Sequence, residues 1–319
     1  MIKIPIVFAF NRWILEESRI CIESLLKNAL PETYYSVFIV HGKGDLNRFE
    51  QKELLRLMEY FANCSINFVP IDEGIFDGVH IARGVPKVTY YRFLLPGLFK
   101  DYEKIIFSDP DIIFKGDLSS VFVSTDLSNN YLAAVKSAIV KEDYLISIGC
   151  DPDNYTNGGF QIYNLDAFRR DGLEQKQLYM INRKYFYLDQ DITNIVCKGK
   201  IVFLSPKYNS TNSFFEASCV LNLQDRFRRI YSTDEIIEGL TPVVYHFNGI
   251  KPWNGICHRS DVYWEAYRSS NFFNERTYYL YFDRLLNPSP ISLTKKIPKA
   301  TLKWIYYKVK ELKSRFLYN

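Results

Sequence analysis

The first 71 residues alternate between short apolar runs and segments with helical periodicity. Apolar or β-branched runs occupy 4–10, 36–40 and 66–71, and apolar residues recur at helical spacing in 16–28 and 49–62. This order predicts a βαβαβ unit, because strands that are apolar throughout are covered by helices on both faces. We therefore expect an α/β fold with a parallel sheet, in which ligands bind beyond the carboxyl ends of the strands.

Composition and charge exclude several other classes of protein. The chain has 319 residues, of which 47% are apolar and 24% charged, enough for one large core or two modest ones. A net charge of +4 lacks the excess of a nucleic-acid-binding protein, so no nucleic-acid partner is expected. The apolar run at 4–10 is too short for a secretory signal, and the six cysteines form no C-x-x-C pair. These features favour a cytoplasmic location.

Two carboxylates interrupt an apolar segment in the middle of the chain. A short predicted strand at 104–107 runs into Asp109, Pro110 and Asp111, and the chain is apolar again at 112–114. Residues two apart in an extended segment project to the same face, so the two carboxylates can share one divalent cation such as Mn²⁺ or Mg²⁺. The alternative is a turn whose aspartates face water or cap a helix. Placement after a buried strand favours the metal.

A second apolar strand, predicted at 243–247, also delivers a polar side chain at its end. His246 is a natural third ligand, since imidazole suits Mn²⁺ better than Mg²⁺. The alternative is a hydrogen-bonded core histidine. Gly249 then permits close approach of the backbone, and the ammonium of Lys251 can meet a phosphate. An ordinary loop with a solvated lysine is equally compatible with these last two residues.

Six motifs follow one another between residues 4 and 255. They are I-V-F-A-F-N at 6–11, T-Y-Y-R at 89–92, F-S-D-P-D-I-I-F at 107–114, Y-T-N-G-G-F-Q-I-Y-N-L at 155–165, L-D-Q-D-I-T-N at 188–194 and H-F-N-G-I-K-P-W at 246–253. In this order they resemble glycosyltransferase family 8, particularly the bacterial lipopolysaccharide galactosyl- and glucosyltransferases. The resemblance implies a fold of the GT-A type, a Rossmann-like mixed sheet flanked by helices, over residues 1–285.

The same resemblance implies a Mn²⁺-dependent, retaining transfer of galactose or glucose from a UDP-sugar to a glycan or glycolipid acceptor such as lipopolysaccharide. By matching position it implies roles for eleven residues: Asp109, Asp111 and His246 at the metal, Gly249 and Lys251 at the diphosphate, Ala9 and Asn11 at the uridine, Arg92 reaching the donor from a helix predicted at 88–95, Asn157 and Asp189 at the donor sugar, and Gln190 beneath the anomeric carbon. Structural alternatives remain: Asp189 and Asp191 can stabilise a helix N-terminus, and 157–159 can form a turn. Because an amide is a poor nucleophile, the sequence favours same-face attack over a covalent intermediate.

Three departures from the family pattern concern substrate binding. Asn11 replaces a common aspartate, the H-x-x-G-x-K-P-W motif is one residue shorter than usual, and Lys136-Ser137 stands where relatives often have an aspartate near the sugar. The donor sugar is therefore open. Two other functions are also compatible with the motifs: a D-x-D phosphohydrolase of the haloacid-dehalogenase type, and a non-catalytic sugar-binding protein of the same fold.

The C-terminal tail, 286–319, differs from the rest of the chain. Residues 294–319 contain eight basic residues and one acidic residue, a net charge of +7. Apolar residues recur there at helical spacing: Leu302, Ile305, Tyr306, Val309, Leu312 and Phe316. The pattern predicts a basic amphipathic helix that lies on an anionic membrane, at the inner face of the cytoplasmic membrane. The alternative is a helix that packs on the catalytic domain.

Overall fold

A computed structural model describes residues 1–79, 86–219 and 224–287. By its contacts the chain divides into two units, Met1–Ser270 and Asn271–Asn319. The membrane helix predicted within 294–319 lies outside the described residues. Within the described ranges, no helix combines the length and the apolar character needed to cross a bilayer.

Ten strands of the first unit form two sheets in the described part of the chain. They are β1 (Ile2–Ala9), β2 (Thr33–Gly42), β3 (Cys64–Ile71), β4 (Lys104–Ser108), β5 (Ile112–Phe114), β6 (Leu132–Lys136), β7 (Thr156–Asn164), β8 (Ile201–Phe203), β9 (Ser210–Thr211) and β10 (Val244–His246). The large sheet has the order β3-β2-β1-β4-β7-β6-β8, and β7 runs antiparallel to both of its neighbours. The parallel arrangement predicted for the first three strands is confirmed, and the whole sheet is mixed.

The described residues also form α-helices, most of them in the first unit. They are α1 (Leu15–Lys27), α2 (Arg48–Leu55), α3 (Leu57–Tyr60), α4 (Leu95–Leu98), α5 (Ser119–Ser124), α6 (Glu142–Ser147), α7 (Leu165–Arg170), α8 (Leu173–Met180), α9 (Leu188–Val196), α10 (Asn212–Cys219), α11 (Gln224–Ile230), α12 (Thr233–Leu240), α13 (Ser260–Arg268) and, in the second unit, α14 (Glu275–Leu286). Helix α1 forms where periodicity predicts it. The single helix predicted at 49–62 is instead two, because α2 ends at Leu55 and α3 begins at Leu57.

The segment predicted as a helix at 88–95 is largely a 3₁₀ helix, Lys87–Leu94, which leads directly into α4. In a 3₁₀ helix, side chains three residues apart lie on the same face. Thr89 and Arg92 therefore point in the same direction, which matters for the site described below.

Three strand pairings bring the candidate site together. Strands β1 and β4 are parallel neighbours with Phe8 opposite Ser108, so Ala9 and Asp109 emerge from the same edge of the sheet. Strand β7 runs the other way and places its N-terminal residues at that edge. In the small sheet, β10 pairs antiparallel with β5 and puts His246 opposite Ile112. The site therefore lies at the carboxyl ends of β1 and β4, as the strand pattern predicts.

Candidate active site

The two aspartates and the histidine singled out in the sequence form one cluster. Asp109 follows β4, Asp111 precedes β5, and the pairing of β5 with β10 brings His246 beside them. The backbone N–H of Phe247 donates to the carbonyl oxygen of Asp111 at 3.0 Å and fixes this register. One ligand atom from each of the three side chains lies within 4.8 Å of the other two.

The cluster has the donor set of a divalent-cation site. The Nε2 of His246 lies 3.5 Å from Asp111 Oδ1 and 4.0 Å from Asp109 Oδ2. Two carboxylates and one imidazole suit Mn²⁺, and a cation would offset the repulsion between carboxylates that are partly withdrawn from water. The residues therefore fit the metal that the sequence predicts.

Lys251 lies at the same cluster. Its ammonium donates to Asp111 Oδ2 and, at 2.8 Å, to the carbonyl oxygen of Phe247. Gly249 allows the chain to turn between Phe247 and Lys251, because its φ of +80° lies in the left-handed region that favours glycine. Burial acts to raise the pKa of Asp111, but the nearby Lys251 and His246 outweigh it and hold that pKa well below its usual range.

Arg92 joins the cluster to the beginning of α9. Its side chain is only 4% exposed; Nη2 donates to Asp109 Oδ1 at 2.7 Å, and Nε pairs with Asp189 Oδ2 at 2.9 Å. Its Nη1 donates to the carbonyl oxygen of Gly158 at 2.6 Å. Thr89, on the same face of the 3₁₀ helix, donates to Asp189 Oδ1 at 2.6 Å. One buried guanidinium thus holds a cluster carboxylate, a strand and a helix in a fixed arrangement.

The N-G-G segment lies in β7 and not in a turn. Gly159 accepts a hydrogen bond from the backbone N–H of Asp109 at 2.8 Å. A Cβ added to Gly159 would lie 2.2 Å from Cε1 of His246, and one added to Gly158 would lie 2.7 Å from Nη1 of Arg92. Both glycines are therefore required by close approach, since any side chain there would displace a site residue.

Gln190 lies beside Asn157 in the first turn of α9. The residue that begins this helix, Leu188, has a φ of +48°, a backbone strain that occurs more often at functional sites than elsewhere. The Oε1 atom of Gln190 accepts from Asn157 Nδ2 at 3.1 Å and from the backbone N–H of Gly158 at 3.0 Å. Its Nε2 donates to the hydroxyl of Tyr155 at 2.9 Å.

The two aspartates of α9 are both buried, but they have different partners. Asp189 accepts from Thr89 and forms an ion pair with Arg92, and burial raises its pKa in spite of the guanidinium. Asp191 accepts from the hydroxyls of Tyr155 and Tyr144 and from the backbone N–H of Tyr187. Asp191 therefore anchors the loop before α9 to the rest of the fold.

Ala9 and Asn11, predicted to lie against the uridine, stand at the end of β1 and just after it. Ala9 is buried, 6% exposed, and ends the strand. The side chain of Asn11 accepts from the backbone N–H of Trp13 at 3.1 Å and caps a short 3₁₀ helix, Arg12–Ile14. Asn11 therefore has a local structural role, and its contact with the uridine stays a prediction.

Sequence analysis did not identify Asn209, Thr89 or Tyr155 as site residues. Asn209 is 1% exposed, lies 2.9 Å from His246 Nδ1 through its Oδ1, and donates from Nδ2 to Asn157 Oδ1 at 2.8 Å. Thr89 and Tyr155 stand inside two of the six motifs, which is the signal that points to them. Asn209 has no such signal, because N-S-T before a helix is also typical of an ordinary cap.

The fold has close counterparts among solved structures. An active-site mutant of LgtC superposes with a TM-score of 0.72 at 22% identity, and the alignment covers 86% of this chain and 98% of LgtC. The fold is that of a GT-A glycosyltransferase, as the motifs imply.

Sequence comparison identifies the family. The family model described as "Glycosyl transferase family 8" matches residues 5–257, and the chain belongs to this family. A candidate glycosyltransferase of Haemophilus influenzae is 28% identical over 214 residues, 65% of this chain and 63% of that protein. The lipopolysaccharide 1,2-glucosyltransferase of Escherichia coli K12 is 27% identical over 177 residues, 53% of this chain and 49% of that protein. The chain thus spans less than two thirds of the length of these two relatives.

Proposed function

We propose that this protein is a metal-dependent, retaining hexosyltransferase that moves galactose or glucose from a UDP-sugar to a glycan acceptor. The observation that carries the proposal is the cluster of Asp109, Asp111 and His246 at the carboxyl end of β4, with Lys251 beside it. The names of similar proteins agree in class: one is a lipopolysaccharide glucosyltransferase, and LgtC is a galactosyltransferase whose structure was determined with donor and acceptor sugar analogues.

The cluster and the loop after β10 would bind the diphosphate of the donor. Asp109, Asp111 and His246 would hold Mn²⁺, with Mg²⁺ as the alternative, and the bound ion would act as a Lewis acid on the diphosphate. Lys251 would donate a hydrogen bond to a diphosphate oxygen, where negative charge develops as UDP leaves. Gly249 would allow the backbone to approach the same group. Ala9 and Asn11, at the end of β1, would lie against the uridine.

The other half of the site would hold the donor sugar. Arg92 would position Asp109 and Asp189, while Asn157 and Asp189 would line the sugar and Gln190 would lie beneath the anomeric carbon. Both donors at the Oε1 of Gln190 withdraw electron density from an atom that is already a poor nucleophile. We therefore favour same-face attack: the acceptor hydroxyl adds to the anomeric carbon on the face that UDP leaves, and its proton passes to the departing phosphate oxygen.

The identity of the hexose depends on the wall formed by β6 and β7. Lys136 pairs with Thr156, next to Asn157, and its ammonium lies 4.3 Å from the centre of the Phe203 ring. A lysine at this position, in place of the aspartate common in the family, changes the hydrogen-bonding groups near the sugar. Both galactose and glucose therefore belong in the first substrate panel.

An assay with a panel of UDP-sugars tests the proposed activity. With Mn²⁺ and an oligosaccharide acceptor, we expect UDP release from one UDP-hexose above all others, loss of release in excess EDTA, and its return when Mn²⁺ is added back. Proton NMR of the product should show that the anomeric configuration of the donor is retained. Turnover that is unchanged in EDTA, or release of inorganic phosphate, would contradict the proposal, and the latter would favour a phosphohydrolase.

The basic tail extends the proposal to the acceptor. We propose that residues 294–319 bind an anionic membrane surface, where a lipid-linked glycan such as lipopolysaccharide is assembled on the cytoplasmic side. Each basic residue near such a surface contributes about 1 kcal/mol at low salt. Deleting these residues should abolish cosedimentation with anionic vesicles at low salt and leave activity on a soluble acceptor intact. Cosedimentation equal to that of the full chain would contradict the membrane role.

A further inference from the structure

A chain of hydrogen bonds connects the candidate metal cluster to the amide predicted at the anomeric carbon. It runs from His246 through Asn209 and Asn157 to Gln190. The three amide side chains could each take two orientations, and the imidazole could carry its proton on either nitrogen. The backbone of β7 removes this ambiguity, because a backbone N–H can only donate.

Two backbone N–H groups determine the orientation of the side-chain amides of Gln190 and Asn157. The N–H of Gly158 donates to Gln190 at 3.0 Å, so the atom of Gln190 that it meets is the oxygen. The N–H of Gly159 donates to Asn157 at 2.8 Å, so the atom of Asn157 that it meets is also the oxygen. Since that oxygen lies 2.8 Å from Asn209 as well, Asn209 must present its NH₂ group to Asn157.

The orientation of Asn209 then determines the protonation of His246. With its NH₂ group turned to Asn157, Asn209 presents its oxygen to Nδ1 of His246 at 2.9 Å. An amide oxygen only accepts, so Nδ1 must carry the proton. In the neutral ring this leaves the lone pair on Nε2, and Nε2 is the nitrogen that faces Asp109 and Asp111.

We propose that Asn209 is a positioning residue that holds His246 in the tautomer able to bind a metal and couples that ligand to Asn157 and Gln190. Metal-binding histidines commonly depend on such a partner at the second ring nitrogen. The backbone of Asn209 is itself held in place, because the next two residues, Ser210 and Thr211, form β9 beside Tyr245 and His246 of β10. This inference rests on the proposed function, from which it takes the metal.

Two substitutions of Asn209 separate its two contacts. Asn209→Ala removes both the acceptor for His246 and the donor to Asn157, so we expect Mn²⁺ affinity to fall by about 10–100-fold. Asn209→Asp retains an acceptor for Nδ1–H but replaces the donor that faces Asn157. It should bind Mn²⁺ within about threefold of the wild type and show a lower kcat with little change in the KM for the donor.

The experiment measures Mn²⁺ binding directly, by the loss of the free-ion EPR signal in the presence of UDP and without a sugar donor. Asn164→Ala is the matched control, since the side chain of Asn164, at the start of α7, likewise both accepts and donates hydrogen bonds, but with backbone groups. It should lose stability without losing Mn²⁺ affinity. Wild-type Mn²⁺ affinity in folded Asn209→Ala overturns the inference. Mn²⁺ binding by the wild type without any sugar transfer contradicts the proposed function and leaves the inference standing.

A second measurement does not depend on how the Asn209 variants fold. The chain contains four histidines, so ¹⁵N-histidine labelling gives few signals, and comparison with His246→Gln assigns those of His246. The measurement is made on the metal-free wild type at a pH where the ring is neutral, and there we expect the ¹⁵N shifts to show Nδ1 protonated and Nε2 unprotonated. The opposite tautomer overturns the inference.

Discussion

Two pairs of aspartates, each with one residue between its members, are linked through Arg92, which contacts Asp109 of one pair and Asp189 of the other. The first pair, Asp109 and Asp111, turns one oxygen of each carboxylate toward Nε2 of His246. In the second pair, Asp189 and Asp191, three oxygens accept hydrogen bonds from protein donors, and the fourth, Asp189 Oδ2, forms an ion pair with Arg92. The same D-x-D spacing therefore occurs twice with different results. The first pair can bind a cation, and the carboxylates of the second pair already have protein partners and hold the structure together.

This difference shows what distinguishes a binding residue from a structural one here. Burial does not, because Asp111 and Asp191 are both largely withdrawn from water. The partners do: one oxygen of each carboxylate in the first pair faces Nε2 of His246, whereas every oxygen in the second pair lies against a protein donor. Only the first pair therefore has oxygens directed toward a position that a cation could occupy. Predictions for the two pairs consequently point in opposite directions: substitutions in the first should change activity, and those in the second should change folding.

The largest effect is expected from Asp111→Asn. The amide retains the size of the side chain but loses the charge that a divalent ion and Lys251 require, so turnover should fall on the order of 1,000-fold. Far-UV circular dichroism should match the wild type, and Tm should fall by only a few degrees, because the lost ion pair with Lys251 is partly offset by relief of the repulsion from Asp109. A variant that loses Tm by more than about 8 °C would place Asp111 with the structural pair.

Asp191→Ala should show the reverse pattern. It leaves the hydroxyls of Tyr155 and Tyr144 and the N–H of Tyr187 without their acceptor, which we expect to lower the free energy of unfolding by about 3–5 kcal/mol. Urea denaturation measures this loss. Asp191→Asn, which retains one acceptor oxygen, should lose less. Wild-type stability of Asp191→Ala together with a loss of Mn²⁺ binding would break the comparison.

A carboxylate outside both pairs, Glu17, shows what burial does in this fold without an adjacent cation. Burial raises the pKa of Glu17, in α1, from 4.5 to about 7, and the neighbouring Glu16 adds to the increase. The folded state therefore binds more protons than the unfolded state between these values, and stability must fall as pH rises from about 4.5 to about 7.

Comparison with Glu17→Gln isolates this contribution, because the amide does not titrate. Between pH 5 and pH 8, we expect the wild type to lose about 2–3 kcal/mol of unfolding free energy relative to the variant. Urea denaturation of both proteins at the two pH values measures the difference. Equal pH dependence of the two proteins would show that Glu17 keeps an ordinary pKa.

Much of the scaffold was predictable because its signals are local. The apolar run at 4–10 predicts β1, and residues 4–10 are all buried. The aspartates at 109 and 111 and the histidine at 246 each follow or precede an apolar strand, and strand pairing brings them together. The alternation of strands and helices alone predicted a parallel sheet. The resemblance to the family is what predicted that the sheet is mixed.

The rest depends on contacts between residues distant in the chain. Asn209 meets His246 only because the two-residue strand β9 pairs with β10. The oxygens of Asp189 are occupied by Thr89 and Arg92, which come from a different part of the chain. Sequence near Asp189 therefore does not show that its carboxylate already has partners. The break between α2 and α3 could not be predicted either, because apolar residues recur at helical spacing across it.

Mn²⁺-dependent release of UDP from a UDP-hexose, compared between Asp111→Asn and Asp191→Asn, tests the central claim most directly. The account predicts that Asp111→Asn folds like the wild type but releases UDP on the order of 1,000-fold more slowly. It also predicts that Asp191→Asn is less stable but, below its unfolding transition, retains most of the activity and its full dependence on Mn²⁺. Wild-type UDP release by Asp111→Asn, or release by the wild type that persists in excess EDTA, would contradict it.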